Sequence, residues 1–287
     1  MIMINYKTII GSLAVIAAAV LFVSCSSSSS EKSESSSAKE KAVTFEQLEA
    51  YQDWAKQTGY KNGTLVAQGP DGVNKDYYHT SADSAAYTSG RIVIGDSRCC
   101  QIGIYEQRKE LSDAAVFAVW GGHYKSSEDP PIMTNTLLSE AEACFKKQVE
   151  AVGSSTVWVF ATVNDYDFKE NNNTENIKAC IEAAEKIASF SAEKDGKTVH
   201  PKVIVVGFDG CWDTAPLYGT PQEEFNAYVS DYNKKLKEAV EASELLKADA
   251  SLYAAVPEIA GGKAKFIDDG LHYHDTTLEA IIAHIRS

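Results

Sequence analysis

The sequence has no basic patch: its 27 lysines and arginines are outnumbered by 40 acidic residues, for a formal net charge of −13 at pH 7. Such a surface offers no stripe that neutralises phosphates, which argues against nucleic acid as a partner and leaves the acidity as an aid to solubility. No internal repeat is present. Cys-x-x-Cys and Cys/His metal spacings are missing too, so the six cysteines do not suggest zinc. No metal or cofactor is expected. Long apolar runs are equally scarce, and the one that stands out lies at the start, from Thr8 to Val23.

Lys7 is the only charged side chain before that run, which ends in Phe22-Val23-Ser24-Cys25. A short positive region, an apolar stretch and a small residue describe a secretory signal over residues 1–24. A cysteine directly after the small residue resembles the lipobox of bacterial lipoproteins. The resemblance implies cleavage before Cys25, acylation of Cys25, and a membrane as partner through that lipid. The alternative is an uncleaved anchor, for which about 16 apolar residues is slightly short. Either way the remaining chain is expected outside the cytoplasm.

Residues 25–43 are serine-rich, with Lys and Glu and almost no apolar side chain. Such a segment cannot bury enough surface to offset its ordering entropy, so it reads as a flexible tether. Residues 44–90 read as one helix, Phe45 to Thr58, followed by irregular decoration or a short hairpin. Five cysteines follow Cys25, so at least one cannot pair within the chain. Cys144 and Cys180 sit in amphipathic helical patterns, as small core residues do. The pair Cys99-Cys100 has no assigned role.

From residue 91 to 287 the pattern is regular. Unbroken apolar runs occur at Ile92–Ile94, Ala114–Val119, Thr156–Ala161, Val203–Val206 and Leu252–Val256. Runs without alternation suit strands buried on both faces of a parallel sheet. Helical periodicity fills the gaps at Leu137–Val152, Thr174–Phe190, Pro221–Leu246 and Thr276–Ile285. The expected fold is a three-layer, doubly wound α/β domain with five parallel strands. Ligands in such folds bind at the carboxyl ends of the strands.

Four short segments stand at those ends. Gly95-Asp96-Ser97-Arg98 follows the first run. Alone it reads as a helix N-cap, but a serine at a strand-to-helix turn also has its hydroxyl at the sheet rim and its N–H at a positive helix end. Trp120-Gly121-Gly122-His123-Tyr124 follows the second run, and its glycines let the backbone come close to a ligand. Thr162-Val163-Asn164-Asp165-Tyr166 follows the third, where Asn164 can place an amide in the same cleft. Asp268-Asp269-Gly270-Leu271-His272-Tyr273-His274 precedes the last helix. The Asp269/His272 spacing puts both side chains on one face of a turn, so that the carboxylate can orient the imidazole.

In this order, the segments resemble the SGNH (GDSL-type) hydrolase family. Its first block is matched by Gly95-Asp96-Ser97, its third by Thr162-Val163-Asn164-Asp165 with Thr for Gly, and its fifth by Asp269-Gly270-Leu271-His272. The resemblance covers about Ile92 to Ile285 and implies an SGNH/flavodoxin-like fold. It implies Ser97 as nucleophile, His272 as general base and then general acid, and Asp269 as its orienter. It also implies an oxyanion hole from the N–H of Ser97, the Asn164 side chain and a second-block N–H. That donor is Gly121, Gly122 or His123, with Gly122 favoured.

The expected function is an extracytoplasmic, lipid-anchored esterase acting on short acyl esters, above all O-acetyl groups on glycans. Tyr124, Tyr166 and Trp212 are candidates to stack on a sugar. The alternative is a catalytically silent glycan-binding or assembly lipoprotein on the same fold. His79, His200 and His284 are read as surface or loop residues.

Overall fold

The computed structural model describes residue 47 and residues 64–66, 77–128, 130–165, 173–207, 222–248, 252–262, 264–267 and 271–287, all within one unit, Lys41–Ser287. The expected signal segment, tether and Cys25 lie outside the described residues, as does the expected first helix apart from Gln47, which is helical.

The five apolar runs form five parallel strands. β3 (Arg91–Gly95) lies at the centre, with β4 (Ala115–Val119) on one side and β5 (Thr156–Phe160) on the other. β8 (Lys202–Gly207) and β9 (Leu252–Ala255) continue beyond β5. Within residues 59–90, expected as irregular decoration or a short hairpin, two described strands extend the sheet. β1 (Thr64–Val66) pairs antiparallel with β2 (Tyr77–His79), and β2 pairs antiparallel with β4. The sheet therefore has seven strands in the order β1-β2-β4-β3-β5-β8-β9. A separate hairpin, β6 (Ala192–Lys194) and β7 (Lys197–Val199), turns through Asp195 and Gly196 at φ 52° and 73°. Positive φ at both central residues is what a two-residue Asp-Gly hairpin loop requires.

Why the strands lack alternation is clear from their burial. Ile92, Ile94, Phe117, Val157 and Val159 face one core, with Leu137 and Phe145 of α2 (Asn135–Val152), Ala184 and Ile187 of α3 (Thr174–Ala188) and Leu236 of α4 (Gln222–Ala242). Val93, Val116, Trp158 and Val206 face the other, with Ile102 of α1 (Ser97–Arg108) and Leu278 and Ile281 of α7 (Asp275–Arg286). Of two short helices, α5 (Glu244–Ala248) adds Leu246 to the first core and α6 (Val256–Ile259) adds Val256 and Ile259 to the second. Each side chain of this kind, fully buried, contributes roughly 1.5–3 kcal/mol of transfer free energy, so neither face tolerates polar residues. The result is three layers, with Cys144 and Cys180 as buried free thiols in the first core.

From β3 the chain crosses to β4 on one side, and from β4 back over β3 to β5 on the other. A crevice opens at the carboxyl end of the strand where the winding reverses. That strand is β3, and its last residue is Gly95.

Candidate active site

The Gly95-Asp96-Ser97 turn is tight because α1 begins at once. A Cβ on Gly95 would stand 2.6 Å from Cys99 Sγ and 3.1 Å from Phe160 Cβ, so only glycine lets helix and strand come this close. Asp96 is the N-cap, and its carboxylate accepts from the Arg98 N–H at 3.1 Å. The capping function thus belongs to Asp96, and Ser97 is left as the first helical residue with its hydroxyl uncommitted to the cap.

That hydroxyl meets a histidine. Ser97 Oγ lies 3.0 Å from His272 Nε2, and the two residues are only 5% and 4% exposed. Against the neighbouring strand-like segment, His272 O accepts from the Ile267 N–H at 2.9 Å, and the His274 N–H donates to Lys265 O at 2.8 Å. Trp120 stacks on the imidazole, with ring centroids 5.1 Å apart and planes 15° from parallel. Sequence reasoning passed over Trp120. Its only signal was an aromatic between a buried strand and a Gly-Gly pair. Asp269 lies outside the described residues.

The second and third segments are tied to the first through Asp96. Its Oδ2 accepts from Thr162 Oγ1 at 2.9 Å, Val163 N at 3.3 Å and Arg98 Nη2 at 3.3 Å. The Thr162 hydroxyl is also 2.9 Å from Gly122 O and accepts from Asn164 N at 3.1 Å. Asn164 Nδ2 donates to the same Gly122 carbonyl at 3.1 Å, which leaves its second N–H for other use. Arg98, fully buried, donates to Ala161 O at 2.8 Å. Burial alone would lower the Arg98 pKa, but the adjacent Asp96 carboxylate more than offsets it and holds the guanidinium charged.

The structure revises the second-segment donor. Gly122 N–H is spent on Val119 O at 3.0 Å, and His123 N–H on Pro130 O at 2.9 Å. Gly122 is instead a packing glycine, because a Cβ there would stand 2.6 Å from Ile132 and 2.8 Å from the Val119 carbonyl oxygen. Gly121 has φ +69°, open space where a Cβ would go, and an N–H that donates to no hydrogen bond among the described residues. The N–H of Ser97 is likewise uncommitted among them.

Tyr124 is a second correction. It is 6% exposed and its hydroxyl donates to Phe160 O at 2.8 Å, so it packs under the sheet rim and offers no open face to a sugar. Tyr166 and Trp212 lie outside the described residues. Asp165 is an anchor for the second segment: it accepts from Tyr124 N at 2.8 Å and sits 3.0 Å from His123 Nδ1. Three other histidines have partners that the sequence did not suggest. His79 Nδ1, on strand β2, is 3.1 Å from Glu140 of α2, His200 Nδ1 is 2.8 Å from Phe190 O, and His284 packs edge-on to Trp158. Cys99, buried beneath the turn, has its thiol pKa pushed up by burial and then by Asp96, so it stays a protonated, unreactive thiol.

Among solved structures, the chain is similar to a carbohydrate acetylesterase from Sinorhizobium meliloti, with a TM-score of 0.44 and 12% identity over 68% of this chain and 95% of that one. It is similar to an aryl esterase of M. smegmatis, with a TM-score of 0.44 and 13% identity over 68% and 96%. The inhibitor-bound form of that aryl esterase gives a TM-score of 0.43. No family model matches the chain, and no curated protein matches it in sequence.

Proposed function

We propose that this protein is a serine-dependent ester hydrolase with Ser97 as nucleophile. The 3.0 Å contact between Ser97 Oγ and His272 Nε2, at the start of α1, carries the reading. An imidazole at that distance takes the hydroxyl proton as Oγ attacks an ester carbonyl carbon. The carbonyl oxygen becomes an oxyanion, met by the N–H groups of Ser97 and Gly121 and by the Asn164 amide. Each such donor typically contributes about 2.7–4 kcal/mol to barrier lowering. As the C–O bond breaks, the imidazolium returns its proton to the leaving alkoxide. Water, deprotonated by His272, then attacks the acyl-serine and releases the carboxylic acid. Asp269 holds the imidazole tautomer and stabilises its cation.

The substrate class follows from the proposed location. A lipid at Cys25 and the tether over residues 25–43 put the domain at an extracytoplasmic membrane face, where short acyl esters on glycans are the accessible targets. A catalytically silent glycan-binding protein would have no use for a buried serine in contact with a histidine. The test is a fluorophosphonate probe applied to the domain from residue 41 onward, followed by mass spectrometry. An adduct on Ser97, and its loss in Ser97→Ala, is the expected result. An unlabelled protein with no activity on p-nitrophenyl acetate would move the reading to the silent binding protein.

A further inference from the structure

His272 sits on a buried backbone segment whose outer edge something else must satisfy. Tyr273 is bridged antiparallel to Phe266, and the two hydrogen bonds around that bridge are made by His272 O and His274 N. In a non-hydrogen-bonded pair of this kind, the N–H and C=O of the central residue point to the opposite side. Tyr273 is buried, so its outward backbone groups need partners.

Both are met by one side chain of α1. Gln101 Nε2 donates to Tyr273 O at 2.6 Å, and Gln101 Oε1 accepts from Tyr273 N at 2.9 Å. The amide acts as a missing strand would. Gln101 is itself only 3% exposed and stands four residues after Ser97 on the same helix. Residues four apart share a helix face, so α1 presents two rungs to the His272 segment. Ser97 meets the His272 side chain on the first, and Gln101 clamps the next residue's backbone on the second.

We propose that Gln101 is a positioning residue, whose bidentate hold on Tyr273 sets the distance between His272 Nε2 and Ser97 Oγ. The role in catalysis rests on the esterase reading above, whereas the geometric role does not. Other links between the elements have less to do with that distance. The Arg108–Asp275 ion pair is at the far end of α1 and partly exposed, and Arg98 reaches the Tyr273 hydroxyl rather than its backbone.

Gln101→Met keeps length and burial while removing both hydrogen bonds. Misplacement of a catalytic group by about 1 Å costs on the order of 100-fold in rate. The kcat for p-nitrophenyl acetate is therefore expected to fall ~100-fold with KM unchanged. A crystal structure of the variant is expected to show His272 Nε2 beyond hydrogen-bond distance from Ser97 Oγ. Gln101→Asn, which keeps the amide but falls one methylene short, gives the same comparison if the Met variant does not fold. Unchanged kcat, or an intact Ser97–His272 contact in the folded variant, overturns the proposal. If the parent protein is neither active nor labelled by the fluorophosphonate, the esterase reading fails, and the Ser97–His272 distance in the variant still decides the clamp.

Discussion

Thr162 Oγ1 lies 2.9 Å from the Asp96 carboxylate and 2.9 Å from the Gly122 carbonyl, so one hydroxyl spans the first and second segments of the site. In sequence, this threonine is the departure from the Gly-x-Asn-Asp block. In the fold it has a task that glycine cannot perform, since it also accepts from the Asn164 N–H and so ties the third segment to the other two.

Thr162→Val keeps the shape and removes the hydroxyl. Leaving whichever of Asp96 and Gly122 receives the Thr162 proton short of that donor in a buried site costs about 1–3 kcal/mol, and Asn164 loses one of its two anchors. Denaturant unfolding is expected to show that loss, and kcat to fall about tenfold, equivalent to ~1.4 kcal/mol. Thr162→Ser, which retains the hydroxyl, is expected to stay close to the parent. Equal behaviour of the two variants would remove Thr162 from the site's architecture.

Much of the fold was legible because burial on both sheet faces leaves a plain signature, as in Val203–Val206 and Ala115–Val119. The antiparallel β1–β2 extension was less so, since three-residue strands such as Tyr77–His79 carry too little pattern. The β6–β7 hairpin did have a readable signal, Asp195-Gly196. Site residues identifiable by type, Ser97 and His272, do meet. What depends on which groups a turn consumes was invisible: Gly122 and Gly121 look alike in sequence, and only the bond to Val119 separates them. Tyr124 failed for a similar reason, because position after a strand does not say which way a ring points.

Asp269 is the member of the proposed triad that sequence alone supplies, and its substitution separates orientation of His272 from a purely local role in the chain, since the N-cap of α7 is His274. If it orients His272, Asp269→Asn presents the wrong partner to the imidazole, and kcat falls by a factor on the order of 10⁴. If its role is only local, as a turn residue, asparagine serves as well as aspartate, and neither rate nor melting temperature moves. Steady-state kinetics with circular dichroism on the same preparation decides between them.

The proposed anchor predicts a fractionation change. With Cys25→Ala, no thiol remains for lipid attachment at the expected cleavage site, and the protein is expected either to leave the membrane fraction or to keep its signal segment. Recovery of the variant in membranes at the mature mass of the parent would exclude attachment through Cys25.

The last prediction concerns a carboxyl at the other end of α1 from Ser97. Glu106 is 4% exposed, accepts from Ala114 N at 3.2 Å, and has its pKa pushed up from 4.5 to about 8 by burial and then by the nearby Asp113. The folded state therefore holds this proton more tightly than the unfolded chain. Below the unfolded value both states are protonated and the contribution to stability is complete. Between about 4.5 and 8 the unfolded chain has released the proton and the fold has not, so stability is lost as pH rises, by about 1.4 kcal/mol per unit, until it levels off above the folded value. Glu106→Gln keeps an oxygen acceptor for Ala114 N and removes the titration. Compared with the parent by denaturant unfolding at pH 5 and pH 8, the variant is expected to gain a few kcal/mol of relative stability at the higher pH. Its rate on p-nitrophenyl acetate, if the proposed activity holds, should not change, because Glu106 lies more than two helical turns from Ser97. Parallel stability curves for the two proteins would show that Glu106 titrates normally in the fold, whatever its burial.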